Sequence, residues 1–228
     1  MRWALLLLLP ILAAGCRSDI QEVRVDLTKV ARLMRAYGAA RARTPTPPEA
    51  RELSPERVND LGVMLERRGL LQKAEEHYRL AVERKPDFAR AWVNLGNVLR
   101  QQGRGDEALD SYRRAMKEDP TLFEAVNNFA DLCAEMGKRL DEAIALLRPA
   151  LDAHPPEEGI GRDTLGTLLL RAERNEDAVE AFRTALGLAN PTQTALTRAI
   201  LRHLAEASRA LGNEDEARSA ELRAAALE

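Results

Sequence analysis

The chain is 228 residues long, with 34 Lys and Arg against 36 Asp and Glu and a formal net charge of −2. That balance argues against a nucleic-acid binder, because neutralising phosphates takes clustered Lys and Arg. Three histidines at unrelated positions (His77, His154 and His203) leave no zinc motif.

Residues 3–14 form an apolar run of 12 that contains Pro10, whereas a helix needs about 20 residues to span a bilayer core. With Arg2 before the run and small residues at its end, this is the three-part pattern of a secretory signal peptide. The run closes on Leu12, Ala13, Ala14, Gly15 and Cys16. These five residues resemble the lipobox of bacterial lipoproteins, although Ala13 stands where that family prefers Leu. The resemblance implies a signal peptide over 1–15, cleavage before Cys16, a diacylglycerol on its thiol and an acylated new amino terminus. In such lipoproteins an aspartate directly after the cysteine retains the protein at the inner membrane. Arg17 occupies that place here, which implies an outer-membrane anchor facing the periplasm. With Cys16 lipidated, the remaining thiol is Cys133, which sits in an apolar pattern and is expected to be a small core residue.

Residues 16–43 are expected to hold the lipidated terminus and one basic amphipathic helix. Val23, Leu27, Val30, Met34 and Tyr37 recur at steps of four and three and so share a face. Residues 17–43 carry seven basic and three acidic side chains, while 44–228 carry 26 and 33. A basic segment beside a lipid anchor can lie on anionic headgroups, or the helix can cap the domain that follows. Residues 44–54, which open with "TPTPPE", break the pattern and read as a stiff linker.

From residue 55 the chain repeats itself. Val58, Leu61, Gly62, Leu65, Ala74, Tyr78, Ala81 and Pro86 are followed 34 residues later by Trp92, Leu95, Gly96, Leu99, Ala108, Tyr112, Ala115 and Pro120. A third copy, with one inserted residue near Arg139, includes Val126, Phe129, Ala130, Ala143, Leu147 and Pro155. A fourth includes Leu165, Gly166, Ala178, Phe182 and Pro191, with Arg162 at a position usually aromatic or apolar; the fifth is the poorest, with Glu221 in place of the large apolar residue. The period and its pattern resemble the tetratricopeptide repeat (TPR) family. The resemblance implies an all-α, right-handed superhelical solenoid of about five helical hairpins, over residues 55–88, 89–122, 123–157, 159–192 and 198–228 of a domain spanning 55–228. The first helices would line a concave groove. Small residues at Gly62, Gly96, Ala130 and Gly166 let the partner helix approach, with Ala74, Ala108, Ala143 and Ala178 as counterparts. Gly69, Gly103 and Gly137 are placed to end first helices. Asp106, Asp141 and Asn175 are expected to cap second helices, and Pro86, Pro120 and Pro155 to stop them.

No catalytic or metal constellation stands out in the sequence, and the expectation is a protein that is not an enzyme and takes no cofactor. The informative side chains are polar ones on first helices. Asn94 and Asn128 precede the Leu-Gly and Phe-Ala pairs one repeat apart, Asp60 stands at the same place in the first repeat, and Thr164 and His203 in the last two. This row is similar to the asparagine ladder of the O-linked N-acetylglucosamine transferase family, which implies a grip on the backbone of an extended peptide, since an amide both donates and accepts. Neighbouring groove positions are Glu56, Asn59, Asn97, Arg100, Asn127 and Asp131. A plain solvated helix face is the other reading. The whole architecture resembles the pilotin-like TPR lipoproteins of type IV pili, which implies a protein partner in the groove and help in assembling a secretin. An adaptor for outer-membrane protein insertion or for peptidoglycan enzymes, and an envelope hydrolase, are the alternatives.

Overall fold

In a computed structural model of the protein, residues 53–153, 158–189 and 192–227 are described. The signal segment, Cys16, the basic helix and the linker as far as residue 52 lie outside them, as do His154, Pro155 and Pro191. The described residues contain ten α-helices and no strand. They pair in order as five hairpins: α1 (Pro55–Glu66) with α2 (Leu71–Arg84), α3 (Ala89–Gln101) with α4 (Gly105–Glu118), α5 (Phe123–Met136) with α6 (Leu140–Ala153), α7 (Glu158–Arg171) with α8 (Asn175–Leu188), and α9 (Thr194–Ala210) with α10 (Glu214–Ala225). Each first helix packs against its own second helix and the first helix of the next hairpin, and each second helix packs against the next first helix. This is an all-α solenoid. None of the described helices is long and apolar enough to cross a membrane.

Local chemistry explains most of the boundaries. Ser54 caps α1 by accepting from the Arg57 amide at 3.4 Å, and Pro55 occupies the first turn, where its missing N–H costs nothing. α2 and α4 end two residues before Pro86 and Pro120. First helices end on a left-handed residue: Gly137, for example, has φ 63° and donates its amide to the Ala134 carbonyl. In the fourth hairpin Glu173 takes this position at φ 59°. The inserted residue of the third repeat is accommodated by Arg139, at φ 55°. α9 starts at Thr194, ahead of the expected 198, and the added length makes it a 17-residue helix.

The expected caps on the second helices are not formed as such. The N-cap positions of α4 and α8 are Arg104 and Arg174, neither of which makes a side-chain capping bond. Asp106, Asp141 and Asn175 lie inside the first turns. The acidic pair contributes there through the helix dipole, which favours negative charge at that end.

The core explains the repeat. A Cβ on Gly62, Gly96 or Gly166 would stand 2.5, 2.4 and 2.5 Å from Cε1 of Tyr78, Tyr112 and Phe182. The close approach is therefore to a ring of the second helix rather than to Ala74, Ala108 or Ala178. In the third hairpin Ala130 replaces the glycine and Leu147 replaces the ring, both fully buried, so the added methyl is matched by a smaller partner. In the fifth, Ala205 is matched with the exposed Glu221, which pairs with Arg209 at 2.6 Å. Cys133 lies in this core, and burial pushes its thiol up to about 11, leaving little thiolate at neutral pH.

One buried charge breaks the apolar column that follows the repeat alanines Ala74, Ala108, Ala143 and Ala178. Leu109, Ile144 and Val179 are buried at the place where the first repeat has Glu75, itself only 5% exposed. Its carboxylate accepts from Arg104 at 2.6 Å and Gln102 at 2.9 Å and pairs with Arg79. Burial pushes this carboxyl upward, and the bonds and charges of those partners outweigh it and hold it below its usual range.

Candidate protein-binding face

Successive first helices lie side by side, so a residue at one repeat position meets a fixed neighbour on the preceding repeat. The residue just before the Leu-Gly pair faces the one two places before that pair in the repeat behind it. Asn94 accordingly donates from Nδ2 to Asn59 Oδ1 at 2.9 Å. Forty residues separate His203 and Asp163, in the same relation, and their Nδ1 and Oδ1 atoms lie 2.8 Å apart.

The two intervening seams depart from this scheme for identifiable reasons. Asn128 would meet Val93, which has no acceptor. It donates instead to Asn97 Oδ1 at 3.0 Å, and that oxygen also accepts from the Tyr112 hydroxyl at 2.8 Å. Thr164 turns back onto its own helix and bonds the Ile160 carbonyl at 3.3 Å. Asn127 Oδ1 is left buried with no partner among the described residues. Asp60, on the first hairpin, is exposed, and Glu56 pairs with Lys85 at 2.9 Å.

Of the row expected from the sequence, Asn94, Asn128 and His203 reach the preceding hairpin and Thr164 does not. An amide has two donors and an oxygen with two lone pairs. Asn94 and Asn128 each use one donor among the described residues and keep the remainder on the first-helix face.

Further along this face lies a cleft of about 310 Å³ shared by α3, α5, α7 and α9. Arg100, Asp131, Thr167, Arg171, His203 and Glu206 line it, above Ala134 and Leu170. Arg100 Nη2 bridges Asp131 and Glu135 at 2.8 Å each. The surface therefore alternates charge and hydrogen-bonding groups over an apolar floor, chemistry suited to an extended polypeptide. Among the described residues no three His, Cys, Asp or Glu side chains gather as a metal site.

Arg100 and Asp131 are among the groove positions expected from the sequence, and Asp163, Thr167 and Glu206 are not. The register held the signal: Thr167 and Glu206 occupy the place of Asn97 and Asp131, and Asp163 that of Asn59 and Asn127.

His203 gives this face a measurable pH response. Its bond to Asp163 raises its pKa, against the opposing effect of burial, with Glu206 and Asp131 adding to the rise. A raised folded pKa means the added stability is fully present below the ordinary histidine range and fades as pH rises through the folded value. The stability advantage of the wild type over Asp163→Asn should be largest under mildly acidic conditions and shrink as pH rises. Urea melts across that range measure it, and a constant difference would remove the pair as its source.

Two tetratricopeptide repeat models match the chain, one over residues 60–122 and 164–227 and the other over 99–160. Curated protein sequences contain no match. Among solved structures, the fold is similar to PilF of Pseudomonas aeruginosa, at 25% identity, covering 76% of each chain with a TM-score of 0.65. It is also similar to PilW, described as a widely conserved type IV pilus biogenesis factor, at 19% identity over 76% of this chain and 77% of that one, TM-score 0.67. MamA from Desulfovibrio magneticus RS-1 is similar at 17% identity, over 76% of this chain and 94% of that one, TM-score 0.65.

Proposed function

The chain belongs to the tetratricopeptide repeat family, and from that membership we propose a non-catalytic scaffold, anchored to the bacterial outer membrane through Cys16, that holds an extended segment of another envelope protein. The observation that carries the binding role is the first-helix face: a row of half-engaged amides running from Asn94 to Asn128 and continuing into the cleft at Arg100, Asp131 and Thr167. Unspent amide donors and acceptors satisfy peptide groups without regard to side-chain sequence. The likeness to PilF and to PilW, a type IV pilus biogenesis factor, supports a place in pilus biogenesis, and the lipobox-like Leu12–Cys16 supports the anchor.

The two halves of this reading are tested separately. A photo-crosslinking residue at Thr167 or Asp131 should join the protein to one envelope partner in intact cells, and the same residue on the exposed side of α10, at Ser219, should not. Equal capture at both places would move binding off the first-helix face. Cys16→Ala should shift the protein from the membrane to the soluble fraction and abolish incorporation of labelled palmitate. Retention of the variant at the membrane would remove the lipid anchor from the proposal.

A further inference from the structure

The face formed by the second helices carries its own periodic chemistry. The residue after each buried ring, or after Leu147 in the third hairpin, is an arginine: Arg79, Arg113, Arg148 and Arg183. The residue before the matching alanine of the next hairpin is an acid: Glu107, Glu142, Asp177 and Glu216. Three of the four rungs are made. Arg79 lies 3.6 Å from Glu107, Arg113 Nη2 bonds both Glu142 oxygens at 2.7 Å, and Arg183 bonds Glu216 at 2.6 Å.

The rung between α6 and α8 is missing. Asp177 is one methylene shorter than the glutamates of the other rungs and bonds Arg174 at 2.5 Å. Glu107 makes the corresponding local bond to Arg104 and still reaches Arg79. Arg148 is exposed and has no partner among the described residues. A cleft of about 370 Å³ opens at this place, with Arg148, Arg162 and Arg174 at its edge against Asp177 and Glu180, over a floor that includes Leu165 and Leu169.

We propose that this cleft is a second docking site, separate from the first-helix face, which takes a glutamate side chain of a protein partner with an apolar neighbour: the carboxylate completes the open rung on Arg148 and the apolar group lies on Leu165 and Leu169. A guanidinium donates two parallel bonds to a carboxylate, the geometry Arg113 already shows with Glu142, from Nε to Oε1 at 3.2 Å and from Nη2 to Oε2 at 2.7 Å.

Two fluorescently labelled peptides, acetyl-Leu-Glu-Ala-Leu-amide and its Gln counterpart, test this by anisotropy against the full chain. The Glu peptide should bind about fivefold or more tightly than the Gln peptide. Arg148→Gln should erase that preference, and Arg113→Gln should leave it intact. Asp177→Glu should also weaken binding, because the longer side chain reaches Arg148 and closes the rung within the protein. Equal binding of the two peptides to the wild type, or a preference that survives Arg148→Gln, would overturn the proposal.

Discussion

Gly96→Ala should destabilise the fold by about 3 kcal/mol, lowering Tm by about 10 °C for a domain of this size. In an ordinary exposed helix the same change stabilises, since alanine is the better helix former by about 1 kcal/mol. The reversed sign follows from one distance: the new Cβ would lie 2.4 Å from Tyr112 Cε1. The ring has no room to retreat, being fully buried with its hydroxyl tied to Asn97. The third hairpin supplies the compensating change, because Ala130 there coexists with Leu147. Placing Gly96→Ala in a Tyr112→Leu background should therefore cost under about 1 kcal/mol, although Tyr112→Leu alone costs about 2 kcal/mol in lost packing and hydrogen bonding. Denaturant melts of the two single variants and the double close the cycle, and strictly additive effects would refute the ring-to-glycine account.

The second large effect expected is at Glu75. Glu75→Gln should cost about 2 kcal/mol at neutral pH, since it removes a buried anion that accepts from Arg104 and Gln102 and pairs with Arg79. The pH dependence has a definite direction. A carboxyl held below its unfolded value adds stability that is present above that value and lost as pH falls through the folded one. The difference between wild type and Glu75→Gln should therefore be full at pH 7 and shrink in acid below about 4.5, the ordinary glutamate value. A difference that stays constant into acid would show that the amide fails for steric reasons rather than for want of charge.

Much of the first-helix face was visible in the sequence because it depends on register. The row Asp60, Asn94, Asn128, Thr164, His203 needs only the repeat alignment, and its members do lie at one position on successive first helices. Their bonding was not visible. Asn94 and Asn128 occupy equivalent sites yet choose different acceptors, Asn59 and Asn97, because the residue each meets on the preceding hairpin is asparagine in one case and valine in the other. The helix caps show the opposite error. Acidic residues at Asp106 and Asp141 read naturally as caps, but the turn from a left-handed residue delivers the chain into the second helix before it reaches them.

The sequence by itself determined the helical hairpins, their number and their order of stacking. The 34-residue spacing of small and large apolar residues leaves each hairpin with a face it can bury only against the next. Tertiary structure alone decided which polar groups are spent between hairpins and which stay open. Those outcomes turn on separations across packed helices, where one methylene decides whether a carboxylate reaches its arginine. At α4 and α6 the longer Glu142 closes the rung on Arg113, and at α6 and α8 the shorter Asp177 stays with Arg174 and leaves Arg148 free among the described residues.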